Sequence, residues 1–120
     1  MKYTEFTEEN VKIMLDLLGS IPGWKISHHN LESWHAFFDL EEILDNRFPE
    51  DPNDDKQFYY LEFGTFYGNE EIAFGAHYPL GAHTIIVDEL IPNNPYENVM
   101  MVLIAADDYI NNKLTDQYFE

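Results

Sequence analysis

The chain has no cysteine, which excludes a disulfide framework, a thiolate metal site and a cysteine nucleophile at once. Positive charge is nearly as scarce: 6 Lys and Arg stand against 23 Asp and Glu, a formal net charge of −17. Such a body repels a phosphate backbone and an anionic membrane alike, so direct nucleic-acid and membrane binding are not expected. Long apolar runs are missing too. The stretch around Met100 to Ala106 is far short of a membrane span. The opening MKYTEFTEEN has no apolar core and is acidic where a secretory signal is basic. The expectation is a soluble cytoplasmic protein. Phosphate loops, HExxH and HxxxH spacings and nucleotide fingerprints are also lacking, so no cofactor is expected.

What is there suffices for a fold. At 120 residues, 45% of them apolar and 16% aromatic, the chain fits a single compact domain over residues 1–120 and is too hydrophobic for disorder. A domain of that size buries roughly two thirds of the surface its unfolded chain exposes.

Local patterns divide the chain into helices and strands. Thr7 stands as N-cap before Glu8 and Glu9, and Val11, Met14, Leu15 and Leu18 recur at helical spacing up to Gly19. Two short strands are predicted at 24–28 and about 32–38, with a helix over 31–38 as the alternative reading. Asp39 followed by Glu42 suggests a capping arrangement, and hence a short helix to about Arg47. Residues 48–57, with two prolines and several acids, read as an exposed loop. The final helix, about 95–112, opens on Asn94 and Pro95 and carries Val99, Val102, Leu103, Ala106 and Ile110 on its core stripe.

Gly68-Asn69 is a two-residue turn of the kind tight hairpins prefer, and it fixes the register of its flanks. One face then pairs Thr65 with Ile72, Phe63 with Phe74, Leu61 with Ala76 and Tyr59 with Tyr78. The other pairs Phe66 with Glu71, Gly64 with Ala73, Glu62 with Gly75 and Tyr60 with His77. A further strand over 83–91 is expected to set His83 beside Tyr78, Ile85 beside Ala76 and Val87 beside Phe74. That register puts His77 and His83, from the repeated tripeptide GAH, on opposite faces. The fold class is therefore α+β: an antiparallel sheet of three to five strands, an N-terminal helix, a short middle helix and a long C-terminal helix. The expected core joins Leu61, Phe63, Ile72, Phe74, Ile85 and Val87 to Leu15, Leu18, Val102, Leu103 and Ile110.

Three constellations carry chemistry. His28, His29, His35, His77 and His83 could ligate a metal only if three converged; His28 and His35 can face each other across the first hairpin, but His77 and His83 diverge, so no metal site is expected. Tyr60, Glu62 and His77 share a sheet face over small residues, where a carboxylate could tune an imidazole as general base; a small enzyme or ligand-binding domain is the alternative function this offers. The third is the acidic surface. No Lys or Arg lies between Lys56 and Lys113, yet Glu62, Glu70, Glu71, Asp88, Glu89, Glu97, Asp107 and Asp108 all do.

Those eight acids are the expected partner-binding residues. They suit a non-enzymatic inhibitor of anti-defence or immunity type that presents carboxylates to a basic protein, such as a nuclease or other nucleic-acid-binding protein, as a nucleic-acid mimic. A generic soluble acidic interaction domain is the plainer alternative. Met101 and Ile104 extend the apolar surface of the last helix beyond its core stripe, which marks an interface with a second copy or with another part of the fold.

Overall fold

The computed structural model describes residues 2–52, 54–66 and 71–119. Helix α1 (Glu8–Gly19) starts where Thr7 accepts a 3.2 Å hydrogen bond from the Asn10 amide. Strands β1 (Trp24–Asn30) and β2 (Ser33–Asp39) follow, then α2 (Glu41–Arg47), β3 (Tyr60–Phe66), β4 (Glu71–His77), β5 (His83–Val87), α3 (Pro95–Asn112) and α4 (Leu114–Tyr118). The five strands form one antiparallel meander in chain order, so the fold is α+β as the sequence pattern predicts. Residues 31–38 are turn and strand, not helix.

Alternation along the strands gives the sheet two unlike faces. Trp34, Ala36, Leu61, Phe63, Ile72, Phe74 and Ala76 are fully buried on one face, under α1 and α3. His35, Phe37, Tyr60, Glu62, Phe66 and His77 occupy the other. The β3–β4 register matches every expected pair from Tyr60–His77 to Phe66–Glu71. The Gly68-Asn69 turn itself lies outside the described residues.

Four expectations need correction. In β5, Val87 does pair with Phe74, but the next pair is Gly75 with Ile85, so Ile86 is an inserted residue. An extra residue inverts the alternation for everything before it. His83 therefore pairs with His77 and shares its face, and Ile85 leaves the core. Gly75 permits the irregularity, because a Cβ there would lie 2.7 Å from the Thr84 carbonyl oxygen.

The second correction is the α2 cap. Asp39 does not cap the helix; its carboxylate takes the Lys25 ammonium at 2.7 Å across the β1–β2 hairpin, and Leu40 stands at the N-cap without a side-chain bond. Third, the 48–57 segment is anchored. Lys56, only 5% exposed, donates to the carbonyls of Phe48 at 2.7 Å and Asp51 at 3.2 Å, and Tyr118 of α4 stacks on Phe48 and bonds to the Asp51 carboxylate. Fourth, Ser27 faces His35, and His28 instead meets Glu8 of α1 at 3.1 Å.

Helix α3 begins as its sequence dictates, with the Asn94 side chain accepting from the Glu97 amide at 3.1 Å. Val99, Val102 and Ala106 are buried, while Leu103 and Ile110 pack half-buried at the core's edge. Asn98 is fully buried and clamps the preceding loop, accepting from the Ile91 amide at 2.8 Å and donating to the Ile91 carbonyl at 2.7 Å. Paired in this way, a polar side chain sits in the core without cost to the loop it secures.

Candidate functional site

The eight acids singled out by the sequence do not gather in one place. Glu70 lies outside the described residues. Glu62 is 8% exposed in the middle of the helix-free sheet face. Glu71 is half-buried at the start of β4. Asp88 and Glu89 are exposed in the β5–α3 loop, and Glu97, Asp107 and Asp108 are exposed on α3.

The second group shares its helix with an apolar row. Tyr96, Met100 and Ile104 recur every four residues and are 62%, 57% and 65% exposed. That spacing aligns them on one side of the helix. Met101, by contrast, is half-buried. Glu97 borders the row at one end, and Asp107 and Asp108 border the other, roughly 15 Å away at 1.5 Å per residue. Asn111 and Asn112 donate to Asp107 and Asp108 at 3.1 and 2.8 Å, and the Lys113 ammonium lies 3.4 Å from Asp108. These contacts hold the Asp108 carboxyl below its ordinary pKa, the bond from Asn112 contributing most. Three of the other cations are occupied elsewhere: Lys25 on Asp39, Lys56 beneath the 48–57 segment, and Arg47 on the Ile110 carbonyl at 2.7 Å.

The helix-free sheet face holds the more elaborate chemistry. His77 Nε2 lies 2.8 Å from Glu62 Oε1, and His35 Nδ1 lies 3.1 Å from Oε2, though out of hydrogen-bond alignment. Burial alone would push the Glu62 carboxyl up, but the two imidazoles beside it bring it below the ordinary carboxylate value. An ionised carboxylate only accepts, so His77 Nε2 carries the proton and its tautomer is set.

Rings enclose this centre. His77 lies flat between Tyr60, at 4.6 Å, and Phe66, at 5.4 Å. Phe37 stacks on His35 at 5.5 Å and meets Tyr60 edge-on, and His83 stands 5.5 Å from His77. Burial, and then the neighbouring Glu62 charge, push the Tyr60 phenol up. The floor is Gly64, Ala73 and Gly75. A Cβ at Gly64 would lie 2.2 Å from the Trp34 carbonyl oxygen, so only glycine lets β2 and β3 pair here.

Thr65 Oγ1 lies 3.5 Å from His35 Nε2, which makes a hydroxyl–imidazole–carboxylate series with Glu62. The series lacks the geometry of an activated nucleophile. Thr65 is 4% exposed, and its hydroxyl also reaches the Trp34 carbonyl oxygen at 3.4 Å. Among the described residues, no three His, Asp or Glu side chains converge in a metal-ligating group.

The sequence pattern placed Tyr60, Glu62, Phe66 and His77 on one face, and missed that His35, Phe37 and His83 join them. Only the β2–β3 pairing and the β5 bulge supply these, and neither leaves a turn signal in the sequence. No protein-family model, curated protein or solved structure matches the chain.

Proposed function

We propose that the chain is a non-enzymatic acidic binding protein that engages a basic protein partner, of the kind that otherwise holds nucleic acid, and inhibits it by covering its cationic surface. The observation carrying this reading is the outer face of α3, where Tyr96, Met100 and Ile104 stand exposed between Glu97 and the Asp107-Asp108 pair. Covering three large side chains that are each more than half exposed supplies about 1–2 kcal/mol apiece. Rim carboxylates add little affinity individually, about 0.2–1 kcal/mol each. Affinity therefore comes from the apolar row, and encounter rate and selectivity from the charge around it.

Charge also decides between occupants. A second copy laid on this face would bring Glu97, Asp107 and Asp108 against their own kind on a body of net charge −17, whereas a basic partner meets attraction at each. The heterologous partner is the favoured occupant.

The test is affinity capture with three baits: wild type, Ile104→Glu, and Asp107→Lys with Asp108→Lys. The expected partner is basic, is released by high salt, and is lost from both variants, while a control reversal of the exposed Glu41 and Glu42 retains it. An acidic partner, or one held equally by all baits, would refute the reading.

A second reading, a ligand-binding or catalytic sheet face, is supported by the buried Glu62 held between His35 and His77. Turnover of an ester, phosphoester or nucleotide that His77→Ala abolishes would favour it over the first.

A further inference from the structure

A partner reaches the outer face of α3 from one side only. The helix packs against α1 and β5, and its buried Asn98 amide meets Met14 of α1 at 3.7 Å. Its exposed strip is a ridge without clear flanks, so a cleft of the kind that grips a free helix from both sides has nowhere to close.

The backbone narrows the choice further. Amides and carbonyls along the middle of α3 are committed to the helix's own ladder. An extended segment laid on Met100 and Ile104 would bury its own amides against side chains that offer no hydrogen bond, and each unpaired group would cost its full desolvation. A helix arrives with those groups already paired.

Helices meet by setting a large side chain of one among four of the other, at spacings of three and four residues. The outer face of α3 offers two such seats in succession. Glu97, Met100, Met101 and Ile104 bound the first, and Met100, Leu103, Ile104 and Asp107 bound the second. Each has three apolar walls and one carboxylate, and the two carboxylates stand at opposite outer corners. Both are held by neutral amides, Glu97 by Asn94 at 2.9 Å and Asp107 by Asn111 at 3.1 Å, which orient the charge without cancelling it. Given that α3 is the binding face, as proposed above, we infer that the partner presents an amphipathic helix to it. Two large apolar side chains one turn apart fill the two seats, and a Lys or Arg about a turn beyond each lies opposite Glu97 and Asp107. The α3 of a second copy has such apolar side chains but carboxylates in place of the bases, on a body of net charge −17.

The experiment is an amide NMR titration of the intact chain with synthetic peptides of equal length. The probe is a stapled alanine-based helix with two leucines one turn apart and a lysine a turn beyond each. Its controls are the same helix with glutamates for the lysines, the unstapled sequence with a proline between the leucines, and an oligolysine. The stapled lysine helix is expected to give saturable shifts centred on Met100, Met101, Ile104 and Asp107, and to bind tenfold or more tighter than each control. Ile104→Glu should weaken it tenfold or more, and Asp107→Lys with Asp108→Lys repeats the comparison should Ile104→Glu fail to fold. Absence of saturable shifts with the stapled lysine helix, or equal binding of the proline peptide or the oligolysine, would overturn the inference. The two claims fail separately: a basic partner captured through α3 while the lysine helix stays silent overturns the helix and leaves the binding face standing, whereas saturable binding of that helix elsewhere on the chain, indifferent to Ile104→Glu, counts against both.

Discussion

Replacing His77 by Phe keeps a flat ring between Tyr60 and Phe66 while removing one interaction, the 2.8 Å contact from Nε2 to Glu62. The Glu62 side chain is 10% exposed, so water is poorly placed to replace the lost donor. A hydrogen bond to a charged group contributes about 1.5–3 kcal/mol, and breaking a fully buried ion pair costs about 3–5 kcal/mol. His35 stays 3.1 Å from the other oxygen, which favours the lower range, and the expected loss is about 2 kcal/mol. With an unfolding entropy near 2.1 cal/mol/K per residue, that lowers Tm by roughly 8 °C for a chain of this length.

The pH dependence has a definite sign. Glu62 has a lower pKa folded than unfolded, so its ionisation stabilises the fold above the ordinary carboxylate range, and that stability is lost as pH falls through the folded value. The gap between wild type and His77→Phe should be full at neutral pH and narrow on acidification. Urea unfolding across that range, with the Glu62 carboxyl followed by carbon NMR, measures both. Equal stability at neutral pH, with Glu62 titrating as in wild type, would refute the pairing as an energetic element.

Asn98→Ala should cost about 1–3 kcal/mol in urea unfolding, since it leaves the Ile91 amide without its partner and removes one of two donors to the Ile91 carbonyl, which keeps the Asn94 amide; a loss below about 0.5 kcal/mol would show that the clamp is incidental. Met100→Glu and Ile104→Glu should each change stability by less than about 0.5 kcal/mol and leave the chain folded, because both side chains are more than half exposed. Unfolding of either would mean that the outer face of α3 is internal. Met101→Glu, at a half-buried position, should cost measurably more than either neighbour, and equal effects would contradict that ordering.

Legibility in the sequence followed how local each determinant was. The β3–β4 register was readable because alternating apolar residues and the Gly68-Asn69 signal between them constrain each other within twenty residues, and α3 was readable because Asn94 and Pro95 announce it. Misreadings arose where distant or irregular contacts decide. The Asp39 carboxylate had a local role open to it, yet goes to Lys25 across the hairpin. Lys56 looked like a surface residue of an acidic loop, and its burial depends on three acceptors contributed by Asp45, Phe48 and Asp51. The Ile86 insertion reversed the face of His83. A glycine inside β4 was the one hint of that bulge, since glycine in a strand often marks one. For the acidic surface, sequence adjacency did not foretell location: Glu62 and Asp108 belong to the same cation-free stretch, yet one is buried on the sheet and the other exposed on α3.

The most direct test of a basic partner on the outer face of α3 is the association rate constant of the captured partner as salt rises from about 50 to 500 mM, a range over which the screening length contracts severalfold. The prediction is a rate that falls tenfold or more across the series, falls further in the Asp107→Lys with Asp108→Lys variant at low salt, and is little changed by Ile104→Glu, which should instead speed dissociation. A rate constant that stays flat with salt, or that is indifferent to reversal of Asp107 and Asp108, would contradict it.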